Sequence, residues 1–231
     1  MKLPKALFWV TFFSIAMGYL ESSVVVYLRA ILYPHGFEFP LATMNEQLAI
    51  TEIFREAATI IMLLGIGIIA GRNSSERFAW FIYSFAVWDI FYYVFLKLLL
   101  NWPESFMTWD ILFLIPTNWV GPVISPIIVS ISMIVFALFI LKANQKHSKV
   151  RISIFEWTLL IIGSLVLIVA FTWDYSNYML QFYSITEIWS IPKEKLYELS
   201  TRYIPVKFNW YLFWVGEGII CYGIFRFWKR N

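Results

Sequence analysis

Long apolar runs constrain this chain more than any motif in it. The run "IIMLLGIGIIAG", residues 60–71, has no charged side chain. It continues a stretch apolar enough to cross a bilayer, where only a helix satisfies its own backbone groups within one segment. Six such stretches approach the ~20 residues that a helix needs to cross. They cover roughly 6–32, 47–70, 78–100, 119–141, 154–173 and 208–228. The fold expected is all-α, a single transmembrane domain over 1–231 built as a six-helix bundle.

Composition agrees. Of 231 residues, 60% are hydrophobic and only 14% charged, with mean hydropathy +0.69. Soluble domains carry about a quarter charged residues. The net charge of +3 gives no sign of nucleic-acid binding, because the basic residues sit in short loops. The lipid bilayer is the partner that composition implies. Cys221 is the one cysteine in the sequence, so disulfide frameworks and thiolate metal sites are excluded. The start, "MKLPKALFWVTFFSIAMGYL", has the charge and apolar core of a signal peptide. It lacks a convincing small-residue cleavage site, and its apolar character runs on to Leu32, so it reads as a retained first span.

Loop charges set the orientation. Lys2 and Lys5 precede the first span, and Arg72 and Arg77 follow the second. Lys142, Lys146, Lys149 and Arg151 lie between the fourth and fifth, and Arg226, Lys229 and Arg230 close the chain. Both termini are therefore expected in the cytoplasm, with 33–46, 101–118 and 174–206 outside. Residues 193–198 mix Lys193, Glu194, Lys195 and Glu198, which suggests a short amphipathic helix at the outer surface. Pro103, Pro116, Pro122 and Pro126 break the approach to the fourth span. A short helix over 104–115 is expected there, followed by a break at "IPTNWVGP". Trp102, Trp109 and Trp119 would sit at interfacial depth.

The costly residues gather at similar depth. "TEIFREAAT", residues 51–59, puts Glu52, Arg55 and Glu56 on one face just inside the second span. Glu21 lies in the first span near Ser14, Gly18 and Ser22. Asp89 centres the third span, with Tyr92, Tyr93 and Lys97 following. Glu217 centres the sixth between Gly216 and Gly218. A charge at a helix centre costs about 2.5–3.5 kcal/mol on insertion scales, so these acids should face inward and find partners. Acids outnumber the nearby bases Arg55, Arg29 and Lys97. Some should then hold a proton, or the site should hold a cation. The bland alternative is a dry network of ion pairs joining the spans. Each aspartate, Asp89, Asp110 and Asp174, also follows a tryptophan, which would set a bulky amphipathic wall beside each carboxylate.

Other chemistries are disfavoured. His35 and His147 both lie in loops, and the sequence has no HExxH, GxSxG or Walker motif. Histidine-ligated haem, iron or zinc within the spans is therefore not expected. The glycines of "GIGIIAG" read as helix-packing residues. No cofactor is evident, although carboxylates leave room for a hard cation. The reading that results is a buried acidic site, open to the outside, that binds or translocates a proton, cation or small substrate. Its candidate residues are Glu52, Arg55, Glu56, Asp89, Glu217, Glu21, Tyr92, Tyr93 and Lys97. One alternative is an intramembrane enzyme acting on a lipid or lipid-linked substrate, with a Glu–Arg–Glu cluster as acid, base and anion clamp. The other is an accessory or assembly subunit of a membrane complex. A homodimer could supply a missing wall to a bundle this small.

The stretches "GYLESSVVVYLRAILYPHGFEFPL", "EIFREAATIIML", "WDIFYYVFLK" and "WDILFLIPTNWVGPVISP" together resemble a family of uncharacterised bacterial polytopic inner-membrane proteins. The resemblance spans about half the chain. It implies a bacterial inner membrane and carries no activity or site.

Overall fold

A computed structural model describes residues 3–33, 36–114, 117–146, 150–184, 186–187 and 191–231, with the side chains of Lys193, Glu194 and Tyr197 outside that description. Lys2, His35, Pro116, His147 and Lys149 therefore lie outside the described residues. The elements in order are α1 (Leu3–Leu32), α2 (Glu46–Ala70), α3 (Ser74–Leu100), β1 (Trp109–Phe113), β2 (Trp119–Pro122), α4 (Ile124–Lys146), α5 (Ile154–Met179), α6 (Lys193–Ser200) and α7 (Trp210–Arg230). Five helices, α1 to α5, are long and apolar enough to cross a membrane. The chain is thus a mostly helical, polytopic membrane protein. α7 is long enough, but its glutamate, tyrosines and tryptophans leave it less apolar than the other five. α5 runs to Met179, beyond the expected end at 173.

Local chemistry fixes the helix starts. Asn45 and Asn73 cap α2 and α3 by accepting from Leu48 N at 2.8 Å and Glu76 N at 3.0 Å. These caps satisfy amides that a helix N-terminus leaves orphaned. Ser153 and Glu156 form a reciprocal capping box on α5. Glu156 also receives Arg230 at 2.8 Å, which ties the end of α7 to the start of α5.

α3 is the axle. It packs against α1, α2 and α4 and is the most buried of the apolar helices, so its apolar residues run all round it. α2 crosses it closely at Gly67, where an added Cβ would lie 2.8 Å from Arg77 O and 2.9 Å from Phe81 Cβ. The glycine-packing expectation holds there, whereas nothing lies within 4 Å of a Cβ at Gly65. α5 and α7 form a second tight pair around Gly163, whose Cβ would meet Ile220 Cγ1 at 2.6 Å and Gly216 O at 2.9 Å. Outward faces carry large apolar side chains such as Ile69 and Ile154, as a lipid-facing surface requires.

The segment before α4 corrects the sequence reading. The helix expected over 104–115 is an antiparallel hairpin, pairing Trp109 with Pro122, Asp110 with Gly121 and Ile111 with Val120. Val123 N to Thr108 O at 3.0 Å and Ile124 N to Phe106 O at 2.9 Å extend the pairing. α4 accordingly begins at Ile124 and not at 119. Trp109, Ile111 and Phe113 suit a pleated strand, and Pro122 stands at the strand end, where its missing donor costs least. The two strands satisfy each other's backbone, so this irregular segment can be buried against α5. Gly121 packs there on Phe171 and Phe208. The short helix expected over 193–198 is present as α6. It docks through Leu199 on Tyr175, Met179 and Val120.

Candidate functional site

α1 and α2 both lie on α3 but touch each other little. The wedge between them is open at the end of the bundle that carries the hairpin. β1 enters one side of it, and the α1–α2 connection covers the top. What remains is a half-open cavity of about 140 Å³. Tyr33, Phe37, Leu41 and Met44 form its rim, and Glu21, Glu56, Trp88 and Asp89 lie deeper. Ala42 N donates to Tyr33 Oη at 2.8 Å and orders the cover.

Two cation centres organise the polar groups. Arg55 of α2 donates to Glu52 through Nε at 2.9 Å and through Nη2 at 2.5 Å. Its Nη1 reaches across to Glu21 of α1 at 2.5 Å. The pair 52/55 is one helical turn apart, which brings the two side chains together. The contact with Glu21 is tertiary and bridges the wedge. Arg29 is buried near the end of α1, 4.0 Å from Asp110 of β1. Its guanidinium lies over Trp102 at 3.9 Å and Phe37 at 4.4 Å, a stabilising cation–π arrangement. Asp110 also accepts from Tyr93 Oη at 3.1 Å.

Two further acids have no such partner. Glu56 accepts from Leu114 N at 3.1 Å, and Asp89 accepts from Ser130 Oγ at 2.8 Å. Neither forms an ion pair among the described residues. Trp88 also lines the cavity, and its buried indole N–H has no partner among the described residues. The lining thus carries the carboxylates of Glu21, Glu52, Glu56, Asp89 and Asp110 against the guanidiniums of Arg29 and Arg55. Acids exceed bases in a desolvated setting, where each uncompensated charge is expensive.

Most of the candidates converge. Glu21, Glu52, Arg55, Glu56, Asp89, Tyr92 and Tyr93 all line this cavity. Lys97 and Glu217 do not. Lys97 is exposed and turns outward to Asn101 O at 3.3 Å and Pro103 O at 2.9 Å. Glu217 is buried between α4 and α7, bonded to Ser132 and near Cys221. It stays apart from the cavity because α7 packs mainly on α5. Asp110, Arg29 and Trp88 line the cavity but are missing from the candidate set. Asp110 shares the tryptophan-aspartate pattern with Asp89, but it falls within 101–118, the stretch expected outside the spans. Asp174, the third of that set, instead accepts from Tyr203 Oη at 2.7 Å and from Val206 N and Lys207 N. Among the described residues, no three His, Cys, Asp or Glu side chains converge to hold a metal ion. No protein family matches the chain, and neither does any curated protein or solved structure.

These contacts predict which residues are energetically coupled. Arg55→Ala leaves Glu21 and Glu52 buried without their cation. Breaking one partner of a buried pair costs about 3–5 kcal/mol. In a double-mutant cycle read by melting in detergent, Arg55→Ala should couple more strongly to Glu21→Gln, its direct hydrogen-bond partner, than to Glu56→Gln. Coupling to Glu56 and none to Glu21 would contradict the bridge.

Asp110 predicts a pH effect. Burial pushes its carboxyl up to about 6, against the pull of Arg29 and the Tyr93 hydrogen bond. A carboxyl raised above its unfolded value of about 3.9 stabilises the fold at low pH and loses that contribution as pH rises through the folded value. The difference amounts to roughly 3 kcal/mol between about pH 4 and 6. Subtracting the Asp110→Asn melting curve from the wild-type one should expose that fall. Equal slopes in both proteins would contradict it.

Proposed function

We propose that this membrane protein binds or passes a proton, cation or small substrate at the cavity between α1, α2, α3 and the hairpin. The observation that carries the reading is the excess of carboxylates over guanidiniums around a half-open cavity. A dry structural network would balance its charges, since unpaired charge is costly in a membrane interior. We further propose that α7 is a sixth span, paired with α5 along its length. Both termini then lie in the cytoplasm of a bacterial inner membrane, and the cavity opens outward. The clustering of Arg72, Arg77, Lys142, Lys146, Arg226, Lys229 and Arg230 at the opposite end of the bundle supports that orientation.

The enzyme reading ranks second. It needs a cation free to clamp a phosphate or similar anion. Arg55 is taken up by Glu21 and Glu52, and Arg29 by Asp110 and two aromatic faces.

A hydrophobic carbodiimide reacts with protonated carboxyl groups inside membranes, so it reports where a proton is held. Modification of the native protein should map to Glu56 or Asp89 and fade as pH rises. Modification of loop acids alone, or of Glu217 alone, would overturn the assignment to this cavity.

A further inference from the structure

The cavity carries information about the kind of cation as well as its charge. Its volume of about 140 Å³ is close to the roughly 150 Å³ that holds one benzene molecule. That is ample for a small organic ion. The carboxylates are spread around the walls, and no three of these acids gather at metal-ligand spacing among the described residues. Between them lie aromatic and aliphatic surfaces, including Phe37, Tyr92 and Leu112. The rim already holds one organic cation by such faces, since the Arg29 guanidinium lies over both Phe37 and Trp102 where the two rings meet edge to face.

A second feature is independent of the acids. Trp88 is 7% exposed, lines the cavity, and its indole N–H meets no acceptor among the described residues. Indole is a donor only. A buried donor left unpaired is destabilising, and an acceptor on a ligand would satisfy it. Glu56 and Asp89 call for donors with positive charge, whereas Trp88 calls for an acceptor. A bare metal ion or a proton supplies the first and not the second.

We propose that the ligand is a small organic ammonium ion with a hydrogen-bond acceptor a few bonds from its nitrogen. Glu56 and Asp89 bind the ammonium group, and the Trp88 indole N–H binds the acceptor. The proposal rests on the cation-site reading above and narrows it to amino-alcohol chemistry. Such a group exists free in solution and as the head group of an amine-bearing phospholipid.

Ethanolamine carries a hydroxyl where n-propylamine carries a methyl group of nearly equal size, so the pair isolates the Trp88 contact. Each is titrated as its chloride against the melting of the full chain in detergent, beside sodium chloride. Ethanolamine should stabilise at about tenfold lower concentration than n-propylamine, as one hydrogen bond to a good partner allows, and sodium should not stabilise. Glu56→Gln and Asp89→Asn should each weaken both amines by about tenfold or more. Trp88→Phe should erase the preference for ethanolamine while n-propylamine still binds. That comparison is made between two amines on the same variant, so lower stability of the variant does not confuse it. Nanodiscs with phosphatidylethanolamine separate the sources. If they block the ethanolamine response relative to phosphatidylglycerol discs, the lipid head group is the ligand. If the response is equal in both, the free amine is. No stabilisation by either amine, equal stabilisation by sodium, or an unchanged preference in Trp88→Phe overturns the proposal. The broader site reading is judged separately, because pH-dependent carbodiimide labelling of Glu56 or Asp89 would stand even if every amine failed.

Discussion

The arginine bridge across the wedge between α1 and α2 is the contact on which the site depends. Both helices are held on α3, but they barely touch each other. Arg55 spans the gap by holding Glu52 on its own helix and Glu21 on the other. The bridge needs two acids near one base, so it absorbs the only α2 cation near the wedge. Glu56, one residue further along, is left with a backbone amide. The same interaction therefore closes the structure on one side of the wedge and leaves uncompensated acid on the other.

The hairpin completes the arrangement. A helix before α4 would turn its side chains around a cylinder and bring no continuous wall to the wedge. A strand alternates its faces, so Asp110 points to Arg29 and Tyr93 while neighbouring residues cover the bundle end. Its backbone groups pair with β2, which lets a non-helical segment lie buried against α5. Arg29 is thereby held at the rim, paired and stacked, and cannot neutralise the acids below it.

The five apolar helices α1 to α5 were legible in the sequence because length and hydropathy alone define them in a membrane chain. The 51–59 cluster was legible too, since helical spacing puts Glu52 against Arg55. The rest depended on tertiary placement. Arg55 chooses Glu21, distant in sequence, over the adjacent Glu56, and no local pattern encodes that choice. Lys97 follows Asp89 and Tyr93 along α3, but it is exposed and its side chain bonds the carbonyls of Asn101 and Pro103 beyond the helix. Glu217 was grouped with the other acids by its position in the last apolar stretch, but α7 pairs with α5 and sets it beside Ser132 of α4. The hairpin was missed because prolines and interfacial tryptophans suit a broken helix as well as a strand. Its signal was there in "WDILF", a short run of strand-forming residues bounded by prolines. Read that way, Asp110 would have joined Asp89 as a second tryptophan-flanked acid of the site.

The central claim is that the excess acid in this cavity exchanges a proton or cation with the medium outside. Infrared difference spectroscopy of the protein in lipid, recorded as pH is lowered, observes this directly through the carbonyl stretch of protonated carboxyl groups. The account predicts a band that grows as pH falls, shifts in deuterated water, and shrinks in Glu56→Gln or Asp89→Asn. A band absent throughout the titration, or one untouched by deuterium and by both substitutions, would contradict it.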